Sequence, residues 1–230
     1  MCILLASIAS PSAQSQPLRP LRIVLVGDST VTDDSGWGDG FRQLALEKVE
    51  VVNLAANGRS SKSFIDEGRW KDALARRGDY YLIQFGHNDE PGKGPERETD
   101  PETTFRANIV RYVAEARANG ATPVLVTSLV RRIYNEDGTI KTTQTPYVAV
   151  VRVVAREKNV PLVDLHAISK TDAEQAGEDV WADLSPRDEK GAVDRTHLNA
   201  KGGGVVGRMV ADAMRTTVPA LAPMFKTQVP

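Results

Sequence analysis

The sequence predicts an α/β fold, a three-layer α/β/α sandwich on a parallel sheet. Short runs rich in Val, Ile and Leu recur along the chain, as strands covered on both faces require. Amphipathic stretches with helical spacing lie between them, and this alternation is the pattern of a parallel sheet with crossover helices. At 230 residues, with 41% hydrophobic and 26% charged residues, the chain can bury one substantial core.

Five runs are read as strands: Leu21 to Val26, Val49 to Leu54, Asp79 to Phe85, Thr122 to Thr127 and Val160 to Asp164. Between them, Phe105 to Asn119 places Ile109, Val110, Val113, Ala114 and Ala116 on one helical stripe and stops at Gly120, a C-cap residue. Pro146 to Lys158 and Lys201 to Thr216 read as helices in the same way. Three long segments, Glu90 to Pro101, Arg131 to Thr143 and Glu178 to Asn199, read as irregular. The first two follow strands and should crowd the carboxyl edge of the sheet, where ligands bind in open α/β folds. Asp137-Gly138 marks a tight turn within the second.

No linker or repeat divides the chain, so residues 21–230 are read as one domain and residues 1–20 as a leader or disordered tail. Cys2 to Ala9 is a short apolar run, followed by small polar residues that include Ala13-Gln14-Ser15, as at the end of a secretory signal peptide. No Lys or Arg precedes the run, and it is too short to span a bilayer. A secreted or periplasmic location is the expectation. Cys2 is the sole cysteine, which excludes an internal disulfide and a cysteine-rich zinc site. A net charge of -1 gives neither the basic footprint of a nucleic-acid binder nor a polybasic membrane anchor. An anionic substrate must then be recognised by a local arginine cluster rather than by the field of the whole molecule. The sequence carries no signal for the state of assembly.

The chemistry begins at Ser29, in Gly27-Asp28-Ser29-Thr30, where the first strand opens into a loop. A serine hydroxyl needs a base to take its proton, and a histidine base needs a carboxylate to fix its tautomer. Asp194-Arg195-Thr196-His197 supplies both, just before a helix. By itself Asp-x-x-His also fits a helix N-cap followed by a surface histidine. Two further segments follow strands and reach the same edge: Asn57-Gly58-Arg59-Ser60 and Gly86-His87-Asn88-Asp89. Acyl transfer requires donors aimed at the oxyanion, and a Gly58 N–H and the Asn88 amide are of that kind. Singly, Gly58 could be a turn glycine and Asn88 a turn residue. Four such segments in order make coincidence a poor explanation.

These four blocks resemble those of the SGNH hydrolase superfamily, the GDSL-type esterases, and the similarity runs from Leu21 to about Val218. The resemblance implies a flavodoxin-like sandwich with a five-stranded parallel sheet. It further implies Ser29 as nucleophile, His197 as base, Asp194 as its partner, and an oxyanion hole of the Ser29 and Gly58 N–H groups with the Asn88 side chain. Thr30 replaces the commoner leucine, and Gly36-Trp37-Gly38 follows. In this the chain is similar to the rhamnogalacturonan acetylesterase branch, whose members remove acetyl groups from pectic polysaccharide without metal or cofactor. Acetylxylan and broad short-chain acyl esters are the alternatives within the superfamily. The chain lacks the cysteines with which fungal members form disulfides, which implies a bacterial origin.

Other residues admit two readings. Trp37, Trp70 and Trp181 could stack on sugars, although buried indoles are commoner. Arg59, Arg131 and Arg132 could pair with galacturonate carboxylates or be solvated, the solvated reading being favoured for Arg132. His87 could line the cleft or be structural, and His166 reads as structural. A metallophosphoesterase also places Gly, Asp, Asn and His at strand ends. Here the order Gly-His-Asn-Asp and a total of three histidines disfavour it, and activity in strong chelators separates the two. A non-catalytic carbohydrate-binding module would leave such a set of reactive residues unused. The α/β-hydrolase elbow is disfavoured, since the second glycine of Gly-x-Ser-x-Gly is absent and the serine follows the first strand.

Overall fold

A computed structural model describes residues 19–227 of the chain. The leader-like stretch falls outside these residues except for Arg19 and Pro20. Five strands, β1 (Leu21–Gly27), β2 (Val49–Asn53), β3 (Tyr80–Gln84), β4 (Thr122–Val126) and β5 (Leu162–Val163), form one sheet in the order β2-β1-β3-β4-β5. Every pairing is parallel. The order reverses between β1 and β3, so a crevice opens beyond their carboxyl ends, where Gly27 lies opposite Gln84.

Strand β1 shows why the sequence reads as a continuous apolar run. Successive side chains point to opposite faces: Ile23 and Leu25 enter one core, and Val24 and Val26 the other. All four are fully buried. The first core is closed by α1 (Gly38–Leu44) and α8 (Ala200–Thr217). These helices meet backbone to backbone. A Cβ on Gly40 would lie 2.1 Å from the Gly203 carbonyl oxygen, so only glycine permits the approach. The second core receives Phe64 of α2 (Ser61–Asp66), Trp70 of α3 (Arg69–Ala75), Tyr112 of α4 (Arg106–Ala118) and Val151 of α5 (Thr145–Glu157).

Some elements depart from the sequence reading. Strand β5 keeps only two residues of the run from Val160 to Asp164, because the ends are drawn into helix termini. The Val160 N–H donates to the Ala155 carbonyl of α5, and the Asp164 side chain caps α6 (Leu165–Ala176). Helix α6 is not evident in the sequence because His166 and Ser169 share its inward face with Leu165 and Ala173, which blurs the apolar period. The segment read as irregular over 178–199 opens with a short helix, α7 (Glu178–Asp183). Asp137-Gly138 turns as expected, with an isolated bridge between Tyr134 and Ile140. Among the described residues, no helix is long and apolar enough to cross a membrane.

Candidate active site

The turn after β1 carries Ser29 to the crevice. Asp28 folds that turn by accepting from the Thr30 N–H (2.9 Å) and hydroxyl (2.7 Å). Below it, Gln84 of β3 donates to the Thr30 hydroxyl (2.6 Å) and accepts from the Trp37 indole (3.0 Å). Behind the turn, the His87 Nδ1 lies 3.4 Å from the Asp28 carboxylate, both groups buried. Burial pushes the Asp28 carboxyl up, but the adjacent His87 ring and the hydrogen bonds from Thr30 outweigh it and hold it below its ordinary value.

The segment bearing Asp194 and His197 approaches from the far end of the chain. The His197 Nε2 is 2.9 Å from the Ser29 Oγ, and its Nδ1 is 2.8 Å from the Asp194 Oδ2. The other Asp194 oxygen accepts the backbone N–H groups of Thr196 (2.7 Å) and His197 (2.9 Å), which fixes the carboxylate before the ring reaches it. Burial raises the Asp194 carboxyl, yet hydrogen bonds from the His197 backbone and ring and from Thr196 bring it below its ordinary value. The helix cap that an Asp-x-x-His pattern could have supplied falls instead to Asn199, whose side chain accepts the Gly202 N–H.

The remaining two blocks converge on the same place. Gly58 has φ of 75°, a left-handed conformation that favours glycine. The Asn88 amide donates to the Arg59 carbonyl (3.2 Å), which ties it to the Gly58 loop and leaves its second N–H available. Asp89 joins these loops, accepting from the Ser61 N–H (3.1 Å) and hydroxyl (2.6 Å) and from the Thr99 hydroxyl (3.0 Å). Burial pushes the Asp89 carboxyl up to about 7 against those donors. Ser29, Asn88 and His197 together line a cleft of about 380 Å³. A larger groove, about 700 Å³, lies between α1 and α8 around Leu44, Val205 and Met209, and the residues lining it include no serine, cysteine or histidine. Among the described residues, no three His, Cys, Asp or Glu side chains assemble as a metal-ligand set.

The other candidates sort by burial. Trp37, Trp70 and Trp181 are all buried and present no face to a sugar. His166 is structural, with its Nδ1 3.2 Å from the Ser128 carbonyl oxygen. Arg59 is engaged by Glu67 and the Asn57 carbonyl, and Arg131 by Glu90, Thr143 and the His87 carbonyl.

Arg132 corrects the sequence reading: it is 1% exposed, not a solvated charge. Its guanidinium donates to the carbonyls of Thr196 (2.7 Å), Asp194 (3.3 Å) and His197, and to the Ser185 hydroxyl (3.1 Å). It also lies 5.6 Å from the Trp181 ring centroid. Burial lowers Arg132 to about 10, with the Asp194 charge acting against that. This residue holds the Asp194–His197 segment from beneath. Composition cannot reveal that role, because it depends on three carbonyls facing one fork. Arg132→Met is expected to destabilise the fold by about 2–5 kcal/mol in urea unfolding, since several buried carbonyls lose their donor. It should also lower kcat at least about tenfold through a displaced imidazole; unchanged kcat would show that the segment holds its place unaided.

A model of the GDSL-like lipase/acylhydrolase family matches residues 25–204. The chain is 38% identical over 214 residues to the rhamnogalacturonan acetylesterase RhgT of Bacillus subtilis, covering 85% of this chain and 90% of that protein. It is 33% identical to a rhamnogalacturonan acetylesterase of Emericella nidulans, over 85% of this chain and 83% of that one. Among solved structures, YxiM of Bacillus subtilis superposes with a TM-score of 0.75 at 24% identity, covering 87% of this chain and 58% of that chain. An acetylxylan esterase from Geobacillus stearothermophilus superposes at 0.62 with 18% identity, over 85% and 93% of the two chains. Both structural likenesses concern the fold.

Proposed function

The chain belongs to the GDSL-like lipase/acylhydrolase family, and from that premise we propose that it is a serine esterase removing acetyl groups from plant cell-wall polysaccharide, with acetylated rhamnogalacturonan as its substrate. The observation that carries the reading is the hydrogen-bonded chain from Ser29 through His197 to Asp194, opening on the cleft. The Ser29 Oγ attacks the acetyl carbonyl while the His197 Nε2 takes its proton. The Ser29 and Gly58 N–H groups and the Asn88 amide receive the oxyanion. Among the described residues, neither backbone N–H donates to another backbone carbonyl. Collapse of the intermediate breaks the ester bond, and His197 returns the proton to the departing sugar oxygen. Water then attacks the acetyl-Ser29 ester while His197 accepts its proton; as the intermediate collapses the ring returns that proton to the departing Ser29 oxygen, and acetate and free serine result. No metal or cofactor enters the sequence of steps.

Acetate release tests the substrate. Acetylated rhamnogalacturonan should be deacetylated with higher kcat/KM than acetylated xylan, and p-nitrophenyl esters should be turned over less well as the acyl chain lengthens. Equal or better turnover of xylan would replace the pectic reading with the broader one. Asn88→Ala is expected to cost about 10²–10³ in kcat if its amide serves the oxyanion; a rate within a few-fold of the parent would remove it from that role. The leader-like residues 1–20 support export to the periplasm or beyond and leave residues 21–230 as the mature domain, in a bacterial source.

A further inference from the structure

The three arginines that could have met a uronate carboxylate are all engaged: Arg59 by Glu67, Arg131 by Glu90, and Arg132 by the carbonyls beneath the triad. With a whole-chain net charge of -1, recognition of an anionic polymer must come from cations beside the cleft. The loop after β3 supplies them. Lys93 lines the cleft with Ser29 and Asn88, and it forms no salt bridge or side-chain hydrogen bond among the described residues. Arg97, on the same loop, reaches the oxyanion side, its Nη1 4.0 Å from where a Cβ on Gly58 would stand. Among the described residues only its Nε is paired, with the exposed Glu96 at 3.1 Å.

This loop is built to hold a shape. The Glu98 carboxylate accepts the N–H groups of Gly92 (2.8 Å) and Gly94 (2.7 Å). Lys62 donates to the Pro95 carbonyl (2.7 Å), and the Thr99 N–H donates to the Asp89 carbonyl (2.9 Å). The last bond fastens the loop to the residue after Asn88. A cation on it is therefore presented at a fixed place relative to the oxyanion donors. The other charges on the cleft wall, Glu90 and Arg131, neutralise each other.

We propose that Lys93 and Arg97 form a carboxylate subsite that binds uronate residues flanking the acetylated sugar. The proposal rests on the polysaccharide reading above and deepens it. Both side chains are partly solvated, so each pairing should contribute a modest factor, about three- to fivefold, and be screened by salt.

The test compares kcat/KM for acetylated rhamnogalacturonan oligosaccharides with their carboxyl groups intact or chemically reduced to alcohols. The parent, Lys93→Met, Arg97→Gln and the double variant are each normalised to their own p-nitrophenyl acetate turnover, so that any general loss cancels. The parent should favour the carboxylate form about tenfold at low ionic strength, with the preference shrinking in high salt. The double variant should show almost none. Equal rates of the parent on both forms, or a preference that survives in the double variant, would overturn the subsite. Inhibition of p-nitrophenyl acetate turnover by galacturonate oligomers keeps the two proposals apart. If the parent deacetylates no polymer yet is inhibited through Lys93 and Arg97, the substrate reading fails and the subsite stands; without either effect, both fail.

Discussion

Ser29→Ala is expected to lower kcat for p-nitrophenyl acetate by at least about 10⁴ while the protein melts where the parent does. Among the described residues the hydroxyl has one side-chain partner, the His197 Nε2. The turn itself is held by other groups, the Thr32 hydroxyl donating to the Ser29 carbonyl (2.8 Å) and Asp28 gripping Thr30, and alanine keeps every one of these contacts. Activity should thus vanish without loss of structure. What remains would come from the oxyanion donors acting on water-borne attack. Steady-state kinetics and a thermal unfolding curve on the same sample decide the matter, and turnover within tenfold of the parent would place the nucleophile elsewhere.

Asp194→Asn is expected to cost about 10⁴ in kcat near neutral pH, with KM little changed. In the parent, one carboxylate oxygen faces the ring Nδ1 and the other collects two backbone N–H groups. That arrangement requires the ring proton on Nδ1 and leaves the Nε2 lone pair for Ser29. An asparagine that keeps the backbone bonds turns its NH₂ toward Nδ1, which then accepts and puts the proton on Nε2, where it cannot serve as base. An asparagine that turns the other way gives up the backbone bonds. Asp194 is held below the ordinary carboxylate value, so near neutral pH it is ionised and acts only as an acceptor toward the ring. A kcat within tenfold of the parent for the asparagine variant would show that the ring tautomer is set by something else.

Much of this was legible in the sequence, for identifiable reasons. Strands β1, β3 and β4 are buried on both faces over most of their length, so their composition alone announces them, while the edge strand β2 keeps Glu50 exposed between Val49 and Val51. The convergence of Ser29, Gly58 and Asn88 follows from topology, since all three lie beyond carboxyl ends of adjacent parallel strands. His197 and Asp194 were legible as a spacing, and the cap by Asn199 shows why the plainer explanation of that spacing fails. What escaped were features set by long-range packing. Helices α1, α2, α3 and α7 are one to two turns long, too short for a period to register. Arg132 looks like any other arginine until Asp194, Thr196 and His197, more than sixty residues later, turn their carbonyls toward it. Lys93 and Arg97 likewise sit in a stretch of mixed charge whose shape is settled by Glu98 and by the anchor at Asp89.

The chemistry proposed for this site depends on the Ser29 hydroxyl being made reactive by the ring 2.9 Å from it. Treatment with an organophosphonate ester, followed by peptide mass spectrometry, asks that question of the protein directly. One label per chain, carried by the peptide containing Ser29, formed in step with loss of esterase activity and absent from the alanine variant, is the expected result. Complete inactivation with the label on another residue, or full activity after Ser29 has been modified, would contradict it.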